Sequence, residues 1–305
     1  MLRTLRILDD KLVECDSSNA SVFVYISPDE SQRKYLVEQL KIDEHTLNSS
    51  LDPDEPSRLE FEPEHAAMIF KRPKHYAAQD EFLFRVLSVG VFIFSDRIVI
   101  VMADDITLFD GKIFNKVTSI LDISLKIIYR AILHFVEHLR SINRVSTEIE
   151  QQINVAMENE HLLHLFSLEK SLVYYLNAIH SNSVLISRLK TYASKMGFSH
   201  DNLEFLDDMS IENNQCLAQT EIFSQVLSSM MDARASIISN NLNIRIKALT
   251  ILTIVIMLPT LVVSVFSMNV NLPFKHDNPT SFWIISLLAF LPAITVGILW
   301  WRKRW

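Results

Sequence analysis

Two stretches near the C-terminus carry no charged residue, one from Ala248 to Phe274 and the other from Asn278 to Trp301. Each is longer than the ~20 apolar residues that carry a helix across a hydrocarbon core. A helix at the surface of a soluble domain keeps a polar face toward water, so uncharged runs of this length are read as two membrane-spanning helices. Arg245 and Lys247 precede the first run, and Arg302, Lys303 and Arg304 follow the second. The connection between the runs has one basic residue, Lys275. The excess of basic residues on one side predicts that both termini are cytoplasmic and that the short loop is outside. Phe282, Trp283, Trp300 and Trp301 fall at the two ends of the second run, where interfacial aromatic belts sit.

The remainder of the chain is poor in the residues that bend backbones. Gly90, Gly111, Gly197 and Gly297 are the only glycines among 305 residues, where average usage of about 7% would supply roughly twenty. A Walker-type phosphate loop and a dinucleotide-binding turn both need closely spaced glycines that are absent here. Few positions are free to adopt φ > 0, so helix should dominate. Five of the nine prolines lie at or before Pro73, and none lies between Lys74 and Leu258. The chain therefore divides into a mixed α/β domain over 1–110, a helical domain with a stalk helix over 111–247, and a membrane region over 248–305. SVFVYI (21–26) and VFIFSDRIVIV (91–101) are strand-like, the second with a hairpin turn at SDR. Gln32–Leu40 is helical. Residues 113–195 read as helix, with Ile128, Ile132, Phe135 and Leu139 on one face. Gly197 marks a break, with Asp201 or Asn202 as the expected N-cap of a helix that runs on toward the first span.

Net charge and cysteines narrow the function classes. The chain carries a formal charge of −7, which argues against a nucleic-acid partner. Cys15 and Cys216 have no metal-type spacing and are expected to be reduced thiols. Acids interrupt the N-terminal MLRTLRILDDKLVEC before an apolar core forms, unlike a secretory signal.

The first span is not uniform around its circumference. Asn243, Thr250, Met257 and Ser264 recur at seven-residue spacing, and so do Ile246, Thr253, Thr260 and Ser267. Together they make a small, largely polar stripe between Leu, Ile and Val residues. Hydroxyls in a membrane helix either bond to carbonyls of the preceding turn or face protein or water. A stripe in register points to the second arrangement, a helix lining a pore that several copies of the chain build together.

Residues 259–269 read PTLVVSVFSMN, and a short loop and the closing WWRKRW follow. This pattern resembles the CorA family of magnesium and divalent-cation transporters, whose signature is Gly-Met-Asn within a P-T-x-x-x-S-x-Y/F-G-M-N context. Pro259, Thr260, Ser264, Phe266, Met268 and Asn269 match that context, and Ser267 stands where the family has glycine. LDPDEPSRLE (51–60) and LEKSLVYYLNAIHSN (168–182) are similar to the family's cytoplasmic segments. The resemblance spans essentially the whole chain. It implies a CorA-like homopentameric funnel in the inner (cytoplasmic) membrane: cytoplasmic α/β domains, long stalk helices and two transmembrane helices per chain. It implies Mg²⁺ as the carried ion, with Co²⁺, Ni²⁺ or Zn²⁺ as other divalent cargo, and no organic cofactor. Ser267, Met268 and Asn269 take the selectivity positions, and Asn269 supplies a ring of amides for a hydrated cation. Asn243, Thr250, Met257, Thr260 and Ser264 line the pore, and Ile246 and Leu249 form a hydrophobic gate. Asp208, with Asp207 beside it, takes the position of a regulatory metal site between subunits. If residue 267 requires φ > 0, Ser267 is strained; if it stays helical, it adds a hydroxyl to the mouth.

One enzyme-like pattern competes. His134-Phe-Val-Glu137-His138 matches the H-x-x-E-H motif of inverted zinc proteases, but it lies in an apolar helical stretch with no third-ligand motif. His161 and His164 are read as helix surface. Two functional classes remain: a CorA-type divalent-cation channel, and a degenerate relative serving as a membrane-anchored scaffold or sensor.

Overall fold

The computed structural model describes residues 1–76, 80–155, 159–268 and 279–303. Its N-terminal half is built on seven strands: β1 (Leu2–Leu8), β2 (Lys11–Glu14), β3 (Val22–Ile26), β4 (Arg58–Phe61), β5 (Ala66–Pro73), β6 (Val86–Ile93) and β7 (Ile98–Met102). They form one sheet in the order β2-β1-β3-β7-β6-β5-β4. Only β3 and β7 run parallel, with Val24 opposite Ile100. β6 and β7 form the hairpin expected at SDR, closed by the Phe94 N–H to the Arg97 carbonyl at 2.9 Å. β1 and β2 arise from the N-terminal segment whose acids exclude a secretory core, and Leu5 of β1 faces Glu14. Every residue of β5 and β7 is buried. β7, IVIVM, reads as a continuous apolar run because helices cover both faces.

One face of the sheet carries α1 (Glu30–Glu38) and α2 (Glu44–Ser49). Asp29 caps α1 in a capping box with Gln32, and the Asp43 carboxylate accepts from the Thr46 N–H at 3.0 Å to cap α2. Leu36, Ile42 and Leu47 pack there on Tyr25, Phe92, Val99 and Val101. Gly90 permits the close approach of α2, because a Cβ at that position would lie 2.1 Å from Ser50 Oγ.

The other face is covered by α3 (Ile120–Val155), α4 (Asn159–Thr191), the short α5 (Ala193–Met196) and the beginning of α6 (His200–Phe266). α3 begins after a 3-10 turn at Lys112–Asn115, later than the helical pattern from 113 suggests. Ile128, Ile132, Phe135 and Leu139 are all fully buried, as the periodicity requires. Gly197 ends α5 with φ +74, the left-handed conformation glycine supplies without strain. The N-cap of α6 is Ser199 rather than Asp201 or Asn202. Its hydroxyl accepts from the Asn202 N–H and the Asn202 side chain accepts from the Ser199 N–H, both at 3.2 Å. That reciprocal box satisfies two donors, which neither expected residue does alone.

The chain forms two compact units, Met1–Ser229 and Met230–Trp305. The second contains the C-terminal part of α6 and α7 (Pro279–Lys303). α6 and Thr280–Arg302 of α7 are long and apolar enough to cross a membrane, and none of the apolar window of α6 is buried within the protein. In α7, Ala289 is fully buried and Ala293 is 6% exposed. Small residues at this spacing let membrane helices approach closely.

Candidate functional site

The polar stripe lies on α6, and Asn243, Ile246, Leu249, Thr250, Met257, Thr260 and Ser264 are all exposed. The hydroxyls donate backward along the helix: Thr250 to the Ile246 carbonyl at 2.8 Å, Thr253 to Leu249 at 2.9 Å, Thr260 to Ile256 at 2.9 Å. The protons are therefore satisfied by the preceding turn, and hydrogen bonding alone does not require these hydroxyls to leave lipid. Each oxygen then presents only lone pairs outward, so the stripe is a row of acceptors. Pro259 lies inside α6, and with no N–H it leaves the Val255 carbonyl without its usual intrahelical donor.

Ser267 sits in a turn at the end of α6. Its N–H reaches the Val263 carbonyl at 3.0 Å and its hydroxyl donates to the Ser264 carbonyl at 2.9 Å. It is not among the residues with positive φ, so the helical alternative holds and the added Cβ is not strained. Met268 follows, 55% exposed. Asn269 and the loop residues Lys275, His276 and Asp277 lie outside the described residues.

Asp207 and Asp208 are exposed near the start of α6. Asp207 forms an ion pair with Lys190 of α4. The Asp208 carboxylate has no ion-pair partner among the described residues, and with Glu212 it helps raise the Tyr129 hydroxyl above its ordinary range, chiefly a burial effect. Among the described residues, no three His, Cys, Asp or Glu side chains converge to hold a metal ion.

The H-x-x-E-H stretch is a packing cluster. The His134 and His138 rings meet edge to face at 4.3 Å, and His138 Nδ1 lies 2.5 Å from the Tyr175 hydroxyl. Glu137 instead receives a hydrogen bond from Arg130 at 3.1 Å. Arg130 also holds Asp110 with two bonds of 3.0 and 2.9 Å. Burial, reinforced by the neighbouring histidines and Arg72, pushes His134 down to about 3 and His138 down to about 4. Arg72 of β5, to which the sequence alone assigns no role, is 2% exposed. Its signal was a Lys-Arg pair inside the apolar run AAMIFKRP. Cys15 and Cys216 are free thiols, and burial pushes Cys216 up to about 12, which removes its nucleophilicity.

Residues 22–304 match the model of the family described as CorA-like Mg²⁺ transporter protein. The cobalt/magnesium transport protein CorA of Methanocaldococcus jannaschii is 21% identical over 290 residues, which cover 91% of this chain and 89% of that protein. The complete structure of the CorA magnesium transporter from the same organism superposes with a TM-score of 0.78 at 18% identity, covering 99% of this chain and 96% of that one. The full-length CmaX protein superposes with a TM-score of 0.73 at 15% identity, covering 100% of this chain and 97% of that one.

Proposed function

The chain belongs to the family of CorA-like Mg²⁺ transporter proteins, and from that premise we propose that it is a divalent-cation channel assembled from five copies in the cytoplasmic membrane. The observation that carries the reading is the C-terminal part of α6. It is apolar, unburied within its own chain, and marked by a polar stripe in register. Exposed apolar surface of this extent calls for lipid or a second copy. Five α6 helices facing one axis place the stripe in water and the remaining Leu, Ile and Val against neighbours and lipid.

The proposed ion is Mg²⁺, with Co²⁺, Ni²⁺ and Zn²⁺ as further candidates. Mg²⁺ gives up its water shell reluctantly, and that shell presents hydrogens outward. Back-bonded Thr250 and Thr260 oxygens, acceptors toward the axis, suit a hydrated ion. Asn269 is proposed as the selecting ring at the outer mouth, its amide oxygens accepting from the same water shell. Met257 and Ser264 continue the wall, and Asn243 marks its inner end. Ile246 and Leu249, exposed and apolar, are proposed as the constriction that closes by dewetting when the stalks move. Both termini are taken as cytoplasmic, from the distribution of Lys and Arg.

The test is ion flux into liposomes holding the purified protein, with Mg²⁺, Co²⁺, Ni²⁺ and Zn²⁺ in turn. Flux of at least one ion is expected, and its loss in Asn269→Ala. A well-folded pentamer that passes none of them would overturn the channel reading in favour of a scaffold or sensor. Unchanged flux in Asn269→Ala would remove the selecting role from that residue alone.

A further inference from the structure

Far from the proposed pore in sequence, the first unit contains a cavity of about 410 Å³ between the ends of β5 and β6, one face of α4 and the loop 53–56. Lys71, Lys74, Arg85 and Lys170 contribute to its wall, and Asp54 is the single carboxylate there among the described residues. Lys74 is paired with Asp104 at 3.0 Å. The other three cations have no carboxylate within ion-pair distance among the described residues.

Lys71 is the most telling of them. It is 4% exposed, and its ammonium donates to the Pro53 carbonyl at 2.7 Å and to Ser88 Oγ at 2.8 Å. An ammonium has three N–H groups, so one is left over. Burial pushes Lys71 down to about 8, outweighing the pull of Asp52, Asp54 and Glu55. A buried cation whose nearest carboxylates stay beyond ion-pair distance is costly, and an apolar residue would fill the strand position more cheaply. Opposite it, Lys170, Tyr174, Asn177 and Ser181 follow one another along one face of α4. The Lys170 ammonium lies 5.8 Å from the Tyr174 ring, which is 42% exposed. The volume far exceeds that of one phosphate and falls in the range of ~300–1,000 Å³ typical of small-molecule sites.

We propose that this cavity binds a nucleotide, its phosphates held by Lys71, Arg85 and Lys170 and its base against Tyr174. No step of ion conduction is involved, so the binding stands or falls independently of the channel reading.

The experiment is isothermal titration of the full-length protein in detergent, using ATP and inorganic pyrophosphate as probes, with and without Mg²⁺. ATP is expected to bind. The exposed pair Arg85→Gln and Lys170→Gln should weaken it at least about tenfold, since each removes a charge-assisted contact. Arg85→Lys should restore part of the loss. Tyr174→Ala should weaken ATP and leave pyrophosphate unchanged. Lys71→Met is expected to abolish binding if it folds, and the exposed variants decide the matter if it does not. Absence of binding by both probes would overturn the proposal. So would ATP affinity indifferent to Arg85 and Lys170. Equal affinity for ATP and pyrophosphate would overturn the nucleotide assignment and the place given to the base.

Discussion

His134 and His138 show how one side chain's environment reaches the stability of the molecule. Both are neutral in the folded protein, with pKa values held down to about 3 and about 4 chiefly by burial. In the unfolded chain they take up protons near the ordinary value of about 6.5. The unfolded state therefore binds more protons in this range, and stability rises with pH there. Their contribution is fully present above about pH 6.5 and is lost progressively as pH falls toward about 4 for His138 and about 3 for His134. Thermal unfolding of the full-length protein in detergent should show a falling midpoint from pH 7 to pH 5. The fall should be shallower in the His134→Leu variant. Equal slopes would place the pH dependence on other groups.

The joint between α4 and the sheet rests on a side chain that imitates a strand. β4 pairs with β5 only as far as Arg58 opposite Ile69. Beyond that point the outer edge of β5 is open. Asn182 of α4 fills the gap: its amide oxygen accepts from the Lys71 N–H at 2.9 Å and its NH₂ donates to the Lys71 carbonyl at 2.8 Å. The Ser57 hydroxyl adds a bond to the same amide oxygen at 2.8 Å. Asn182→Ala would strand two buried backbone groups, each worth about 1–3 kcal/mol when unsatisfied. A loss of about 2–6 kcal/mol in denaturant unfolding is expected. A loss below about 1 kcal/mol would mean that water or a neighbour takes over the pairing.

Regulation is proposed at the scale of the assembled molecule, because one of the two acids assigned to it, Asp208, is exposed on α6. Asp208 is exposed on α6 without an ion-pair partner among the described residues, whereas Asp207 is engaged by Lys190. Asp208 is thus the better candidate to share a cation with a neighbouring copy, where Mg²⁺ would hold like-charged stalks together and keep the pore shut. Asp208→Ala should leave flux less inhibited by Mg²⁺ on the cytoplasmic side, read as a rightward shift of the inhibition curve. A curve that does not move would put the control point elsewhere.

The two apolar helices, the buried stripe of α3 and the β6–β7 hairpin were legible because each is written in consecutive or periodic residues. Hydropathy, the 3.6-residue period and a turn flanked by β-branched runs are local signals. The match of 259–269 to a family pattern carried the functional reading for the same reason. What the chain could not declare in one dimension is who meets whom. Asn182 and Lys71 lie 111 positions apart, and Gly90 is required only because Ser50 packs over it. Ser199 became a cap through the geometry of its box with Asn202. The histidines that resemble a zinc motif turned out to be packed rings, since Glu137 faces Arg130. The basic cavity draws its wall from a loop, two strand ends and a helix face. Solvent preference is a property each residue carries alone, so sequence by itself decided which segments leave water; pairing is a property of two residues, and only the tertiary structure decided it.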